Sequence, residues 1–344
     1  MENIRGVFIC IFILMIIITG SSMSAIAQLY AGVWDGRIIR IDPSASSTIE
    51  LAQGLGRVED GVCSPMGWLY FADTSQRKIY RLRGDGNFLT TIFESERLSP
   101  EGLSLDGEGN LIFNTTSKDG ATPNGVWMIR YPYASQPGQP KQIANTNVMG
   151  EGTLILNKGP FKGHLLAAVG DKIIRVAPED FSFQITDGNF IVGEGPVGLA
   201  QDPLTGDIFI SFFRSGEIHR YTPTGDFVEV FISGLVDPTH LEFDELGNLY
   251  VSELNALRVL KIDKNGNTEV ILSGYGISGL AYCGVPKISS IPLSTPIQWI
   301  ILSLLLGGLL VRTILNTNTS LSHGQDGLLF RVGDGDRRED PQEP

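Results

Sequence analysis

The chain has 344 residues, a net charge of −12 and three cysteines. That balance offers nucleic acid no basic footprint, and three cysteines do not make the disulfide framework of a small secreted domain. The roughly 260 residues between two apolar ends are enough to bury a full core without staples.

Residues 6–19 form an almost unbroken apolar run after Arg5, and small residues follow, ending Ala25-Ile26-Ala27 before Gln28. A basic start, a short apolar run and an A-x-A site read as a signal peptide over residues 1–27, with an uncleaved N-terminal anchor as the alternative. Cleavage removes Cys10 and leaves Cys63 and Cys283.

From Gln28 onward the chain repeats itself with a period of about 40 residues. One unit reads Gly102-Leu103-Ser104-Leu105-Asp106, a turn ending in Asn110, then Leu111-Ile112-Phe113-Asn114. Another reads Leu241-Glu242-Phe243-Asp244, a turn ending in Gly247-Asn248, then Leu249-Tyr250-Val251-Ser252. A third has Gly198-Leu199-Ala200-Gln201-Asp202 and Ile208-Phe209-Ile210-Ser211. Short β-rich runs joined by Gly-Asn or Gly-Asp turns are hairpins. Alternating runs such as Lys78-Ile79-Tyr80-Arg81-Leu82 supply a third strand, and runs such as Thr268-Glu269-Val270-Ile271-Leu272 a fourth. Four short antiparallel strands per unit make a propeller blade. Second strands beginning near Leu29, Leu69, Leu111, Leu165, Ile208 and Leu249 make six. The fold class is therefore all-β, a six-bladed β-propeller over residues 28–287. The pattern starts on a second strand and ends on a first, Ser278 to Cys283, so one blade is closed by both termini. Closure removes exposed sheet edges.

Residues 288–295 are a Pro/Ser-rich linker. Residues 296–315 are apolar, with Trp299 near one end and Arg312 near the other, which is the pattern of a transmembrane anchor. Residues 316–344 are polar, Gly/Asp-rich and aperiodic, and are expected to be a disordered tail. The expected place is outside the cytoplasm, in the periplasm or at the cell surface, with the propeller monomeric and tethered. Arg312 alone puts the tail in the cytoplasm.

The residues quoted above carry a resemblance. The Gly198-Leu199-Ala200 and Gly247-Asn248-Leu249-Tyr250-Val251-Ser252 patterns resemble NHL-repeat propellers and the gluconolactonase/regucalcin-like family over residues 28–283. The first group implies a binding scaffold and the second a metal-dependent hydrolase. Ile291-Pro292-Leu293-Ser294-Thr295-Pro296, with the apolar span and Arg312, is similar to IPTL-type C-terminal sorting signals of bacterial surface proteins, although 29 residues follow Leu315. A plain anchor explains the same span.

In a propeller the residue before the glycine of each inner strand lines the mouth of the central channel. Read on that rule, the ring is Ser278, Asp60, Glu101, Glu151, Val197 and Thr239. Three like charges on neighbouring blades repel unless protons or a cation intervene. Asp60, Glu101 and Glu151 are thus the candidate ligands of a Ca2+ ion, with a solvated acidic funnel as the alternative. The gluconolactonase resemblance implies metal ligands at this position and a reaction in which the ion polarises a lactone or ester carbonyl. Glu101 and Glu151 would then be the catalytic carboxylates. Val197 and Thr239 depart from that family's ligand set. The alternative is a non-catalytic scaffold that binds a small molecule, glycan or protein on the channel face, marked by an exposed apolar patch.

The other candidates have smaller parts. The 117–125 connection is either a lid or a surface insertion. Asp73 and Glu253 are expected to brace loops, and Asn114 shares their position. Glu194 belongs to a gluconolactonase-like motif but falls off the ring, which Val197 occupies. His164, His219 and His240 have no metal-ligand spacing. Cys63 and Cys283 lie on adjacent inner strands, two residues apart in height; a disulfide across that seam is one reading in an oxidising compartment, and two buried thiols the favoured one because disulfide geometry is demanding.

Overall fold

The computed structural model describes residues 28–284, apart from 118–123, 147 and 179–184. The expected signal peptide, linker, membrane span and tail lie outside the described residues, as does most of the 117–125 connection. No helix among the described residues is long and apolar enough to cross a membrane.

The described strands form six four-stranded antiparallel sheets. The first blade runs, from the channel outward, Ile277–Cys283, Gln28–Val33, Arg37–Asp42 and Ser47–Ala52. The last strand of the propeller therefore pairs with its first, with Gln28 opposite Cys283 and Tyr30 opposite Ala281. The second blade is Val58–Cys63, Trp68–Asp73, Lys78–Arg83 and Thr90–Glu94. The third is Leu98–Leu105, Leu111–Ser117, Gly125–Ile129 and Lys141–Asn145. The fourth is Gly150–Ile155, Leu165–Val169, Lys172–Val176 and Asp187–Val192. The fifth is Pro196–Gln201, Ile208–Phe212, Glu217–Tyr221 and Phe227–Ile232. The sixth is Pro238–Phe243, Leu249–Glu253, Arg258–Ile262 and Thr268–Ser273. Six blades, their second strands and terminal closure match the sequence expectation.

The core lies between blades. Along Trp68–Asp73 the side chains alternate sides, as a strand requires. Leu69 and Phe71 pack toward the first blade beside Tyr30 and Ile38. Tyr70 and Ala72 pack toward the third beside Leu103 and Phe113. Both faces are dry, so the second strands read as continuous apolar runs rather than alternating ones. Outer strands such as Phe227–Ile232 are largely exposed, with Phe231 and Ile232 half-buried.

The turns obey local chemistry. Asp244 Oδ1 accepts from the backbone N–H of Leu246 and Asn248, and Asp106 Oδ1 does the same for Glu108 and Asn110. Each Asp thus stands in for a backbone acceptor and fixes the hairpin that delivers its inner strand to the channel.

Candidate functional site

Every inner strand carries a bulge at one level. Pro100 faces Thr115 and Leu103 faces Phe113, so Glu101 and Gly102 together oppose Asn114 alone. The same slip places Glu151-Gly152, Val197-Gly198 and Thr239-His240 against one residue each. In the first blade the extra residue is Ser278. In the second it is Glu59, between Val58 opposite Asp73 and Asp60 opposite Ala72. A bulge breaks the alternation and re-aims a side chain. Here it turns Ser278, Glu59, Glu101, Glu151, Val197 and Thr239 toward one opening.

This corrects the ring by one residue in one blade. Glu59, not Asp60, is the counterpart of Glu101 and Glu151. The spacing carried the signal: Leu69 follows Glu59 by ten residues, as Leu111 follows Glu101 and Leu249 follows Thr239. Gly61 misled because it is a glycine of another kind. It sits where other blades have Leu103, Leu199, Leu241 and Leu280, and a Cβ there would lie 2.4 Å from the Phe71 ring. The bulk belongs to Phe71, so the volume is kept. The true ring glycines are bare because the next blade's inner strand lies against them. A Cβ on Gly279 would lie 2.4 Å from Asp60 Cα, and one on Gly152 2.3 Å from Val197 O.

Two blades have a side chain at that glycine level, and the two meet. His240 Nδ1 lies 2.7 Å from Asp60, both nearly buried. The pair joins the sixth blade to the second and passes the closing blade at Gly279. Asp60 also accepts N–H bonds from Gly61 and from Leu103 of the third blade, both at 2.6 Å. Burial opposes charge on His240, but Asp60, and after it Glu242, outweighs burial and raises the imidazole to about 10. With both ring nitrogens facing carboxylates, His240 is a charged strut rather than a base.

The register also decides the cysteines, against the expectation of free thiols. Cys63 and Cys283 form a disulfide with Cα atoms 5.4 Å apart. Counted from Asp60 rather than Gly61, their heights differ by one residue instead of two, which a disulfide can span. The bond ties the closing strand Ile277–Cys283 to the second blade.

The mouth has two levels. Its floor is a neck with room for about one water, about 30 Å³, bounded by the ring side chains with Asp60 and His240. Above it opens a vestibule of about 380 Å³ with Trp34, Met149, Phe213 and Leu254 on its walls and Glu59 and Glu151 at its base. Burial raises the Glu59 carboxyl, against the lowering pull of Arg57, with which it forms an ion pair. Burial, then Glu59 and Glu151, hold Glu101 well above the usual carboxylate range. Burial, then Glu59, pushes Glu151 up to about 7. Burial thus raises all three carboxyls of the mouth, Glu151 to about 7, with Arg57 the ion-pair partner of Glu59. Arg57 also lies 5.0 Å from the centre of the Trp34 ring, fixing that wall.

Of the expected calcium set, Glu101 and Glu151 lie at the mouth, whereas the oxygens of Asp60 face His240 and two amides. Among the described residues no group of three or more His, Cys, Asp or Glu side chains is placed to hold a metal ion. Asp60 is therefore engaged at the seam, and Glu101 and Glu151 are the members of the expected set that remain at the mouth. Asp73 and Glu253 brace loops as expected, accepting from the N–H of Gly56 and Val236 at 2.6 Å. Asn114 donates to the carbonyl of Glu151 and so fixes the neighbouring bulge. Glu194 is off the ring, on a side cavity of the fifth blade. His219 pairs with Glu217 at 2.8 Å on its third strand, and His164 lies 3.1 Å from Arg175.

No protein-family model and no curated protein matches the chain. Solved structures do. A chain of the nidogen/laminin complex is similar with a TM-score of 0.60 and 18% identity, over 75% of this chain and 98% of that one. A protein of unknown function from Bacteroides caccae is similar at 0.55 and 13%, over 74% and 98%. A streptogramin B lyase is similar at 0.53 and 14%, over 73% and 86%. At such identities the likeness establishes the β-propeller fold and leaves the function to the mouth itself.

Proposed function

We propose that this is an exported propeller that binds a small ligand at the channel mouth, through an apolar body and an amine or other hydrogen-donating head. One observation carries the reading: three carboxyls on consecutive blades, all raised by burial, gather at the mouth, two of them at the base of a vestibule with apolar walls. An ammonium group there would displace a proton from the raised carboxyls and supply the counter-charge instead, and Trp34, Met149, Phe213 and Leu254 would cover the rest of the ligand. Trp34 and Met149 are 41% and 52% exposed, an apolar rim of the kind a binding face presents. The disulfide supports an oxidising compartment, and residues 296–315 supply the proposed tether. Of the similar structures, one is a complex between proteins and another is a lyase, so the fold accommodates either use.

Calorimetric titration of the full chain with primary alkylamines tests the reading. Binding that Glu151→Gln weakens supports it, and absence of heat at millimolar amine rejects it. Glu151, raised to about 7, favours a second reading as a general acid–base in hydrolysis of a lactone or ester. A lactone and ester panel decides that: turnover equal in Glu151→Gln and the native chain removes it.

A further inference from the structure

The vestibule is charged on two sides. The neck below it carries Glu59, Glu101 and Glu151, from the second, third and fourth blades, and Glu59 and Glu151 reach the vestibule base. On the fifth blade, opposite the second in a ring of six, Arg214 lies in the turn after Ile208–Phe212 and lines the same vestibule. The described residues give Arg214 neither a hydrogen bond nor an ion pair, in contrast to Arg57 and Arg220, which hold carboxylates. Its stem runs over Gly195, where a Cβ would lie 3.6 Å from Arg214 Cδ. Gly195 has a φ of 65° and is held by its N–H on Asp171 Oδ1 at 3.2 Å. Asp171 is thereby engaged with the backbone, and of the two acids that share the side cavity with Arg214, Glu194 and Glu217, the second is paired with His219. A guanidinium without a partner, above a bare glycine and beside an apolar cavity, is a ready carboxylate receptor.

The geometry points to a zwitterionic ligand: an ammonium at the glutamates, a carboxylate at Arg214 and an aliphatic chain across Trp34, Phe213 and Leu254. This rests on the mouth being a ligand site and adds the class of ligand. It also explains why a mouth with an acidic base carries an arginine without a carboxylate partner on its far wall. Two oppositely charged contacts separated by an apolar wall select for both charges at once, because either one alone leaves the other group of the site unpartnered.

The test uses the full chain at pH 8 and three probes sharing one aliphatic body: hexylamine, hexanoate and ε-aminocaproate. Calorimetry is expected to show ε-aminocaproate binding about tenfold or more tighter than hexylamine, the worth of one charge-assisted pair. Arg214→Ala, at an exposed position where folding is not at stake, should abolish that advantage without weakening hexylamine, from whose ammonium it removes a like charge. Hexylamine binding as tightly as ε-aminocaproate, or an advantage that survives Arg214→Ala, overturns the zwitterion assignment while the amine site stands. No binding by any probe overturns both.

Discussion

Glu151→Gln should stabilise the propeller in alkaline solution and leave it unchanged in acid. Burial, and then Glu59, hold Glu151 at about 7 against an ordinary 4.5. The folded state therefore binds this proton more tightly than the unfolded chain does. Below pH 4.5 both states carry it, and the carboxyl costs nothing by this route. As pH rises from 4.5 to 7 the unfolded chain ionises first, and stability falls by about 1.4 kcal/mol per pH unit. Above pH 7 the full loss is present, about 3 kcal/mol. Gln has the same shape and no proton to lose, so it removes the loss. At pH 8 the variant should melt roughly 6–12 °C above the native chain, and at pH 4.5 the two should coincide. Thermal unfolding of the full chain at both pH values, in chelator, measures this. Equal destabilisation at both would show that Glu151 is an ion-pair partner and refute the picture of a strained carboxyl. The same scans with calcium at pH 8 add a control. A calcium-dependent rise in the native chain that Glu151→Gln lacks would restore a cation to the mouth.

Three further outcomes follow from the seam. Cys283→Ser removes a bond between residues 220 apart in sequence; chain entropy sets a ceiling of about 5 kcal/mol, and about 2–4 is expected in urea unfolding under non-reducing conditions. A reductant should lower the native chain to the level of the variant, and failure to do so would mean the thiols are not bonded. His240→Asn leaves Asp60 without its cation and should cost about 3 kcal/mol near pH 6. Because His240 is raised from 6.5 to about 10, its contribution is complete below pH 6.5 and lost as pH rises through 10, so the native and variant stabilities should converge there. Gly279→Ala drives a Cβ to within 2.4 Å of Asp60 Cα and should destabilise by about 2–3 kcal/mol. Gly54→Ala, where a Cβ meets nothing and only the positive φ objects, should cost about 1 kcal/mol. Similar losses for the two would argue against close inner-strand packing.

The sequence by itself determined the architecture. Hairpin turns such as Asp244 to Asn248, strand alternation and the count of second strands are local properties, each written within a few residues. Terminal closure was also legible, since a pattern that starts on a second strand and stops on a first has one way to complete itself. Glu101 and Glu151 came out at the mouth because the glycine after each, Gly102 and Gly152, is packed bare against the next inner strand. Only the tertiary structure decided the rest, because the deciding contacts join blades remote in sequence. Gly61 looks like a ring glycine until Phe71 is seen filling its space, and from that one slip came both the choice of Asp60 over Glu59 and the expectation of free thiols. The Asp60–His240 strut joins positions that are neighbours only once the ring has closed, and Arg214 comes to line one vestibule with Glu59 and Glu151 for the same reason. Side-chain height in a propeller is set by what each inner strand packs against, and that partner is always another blade.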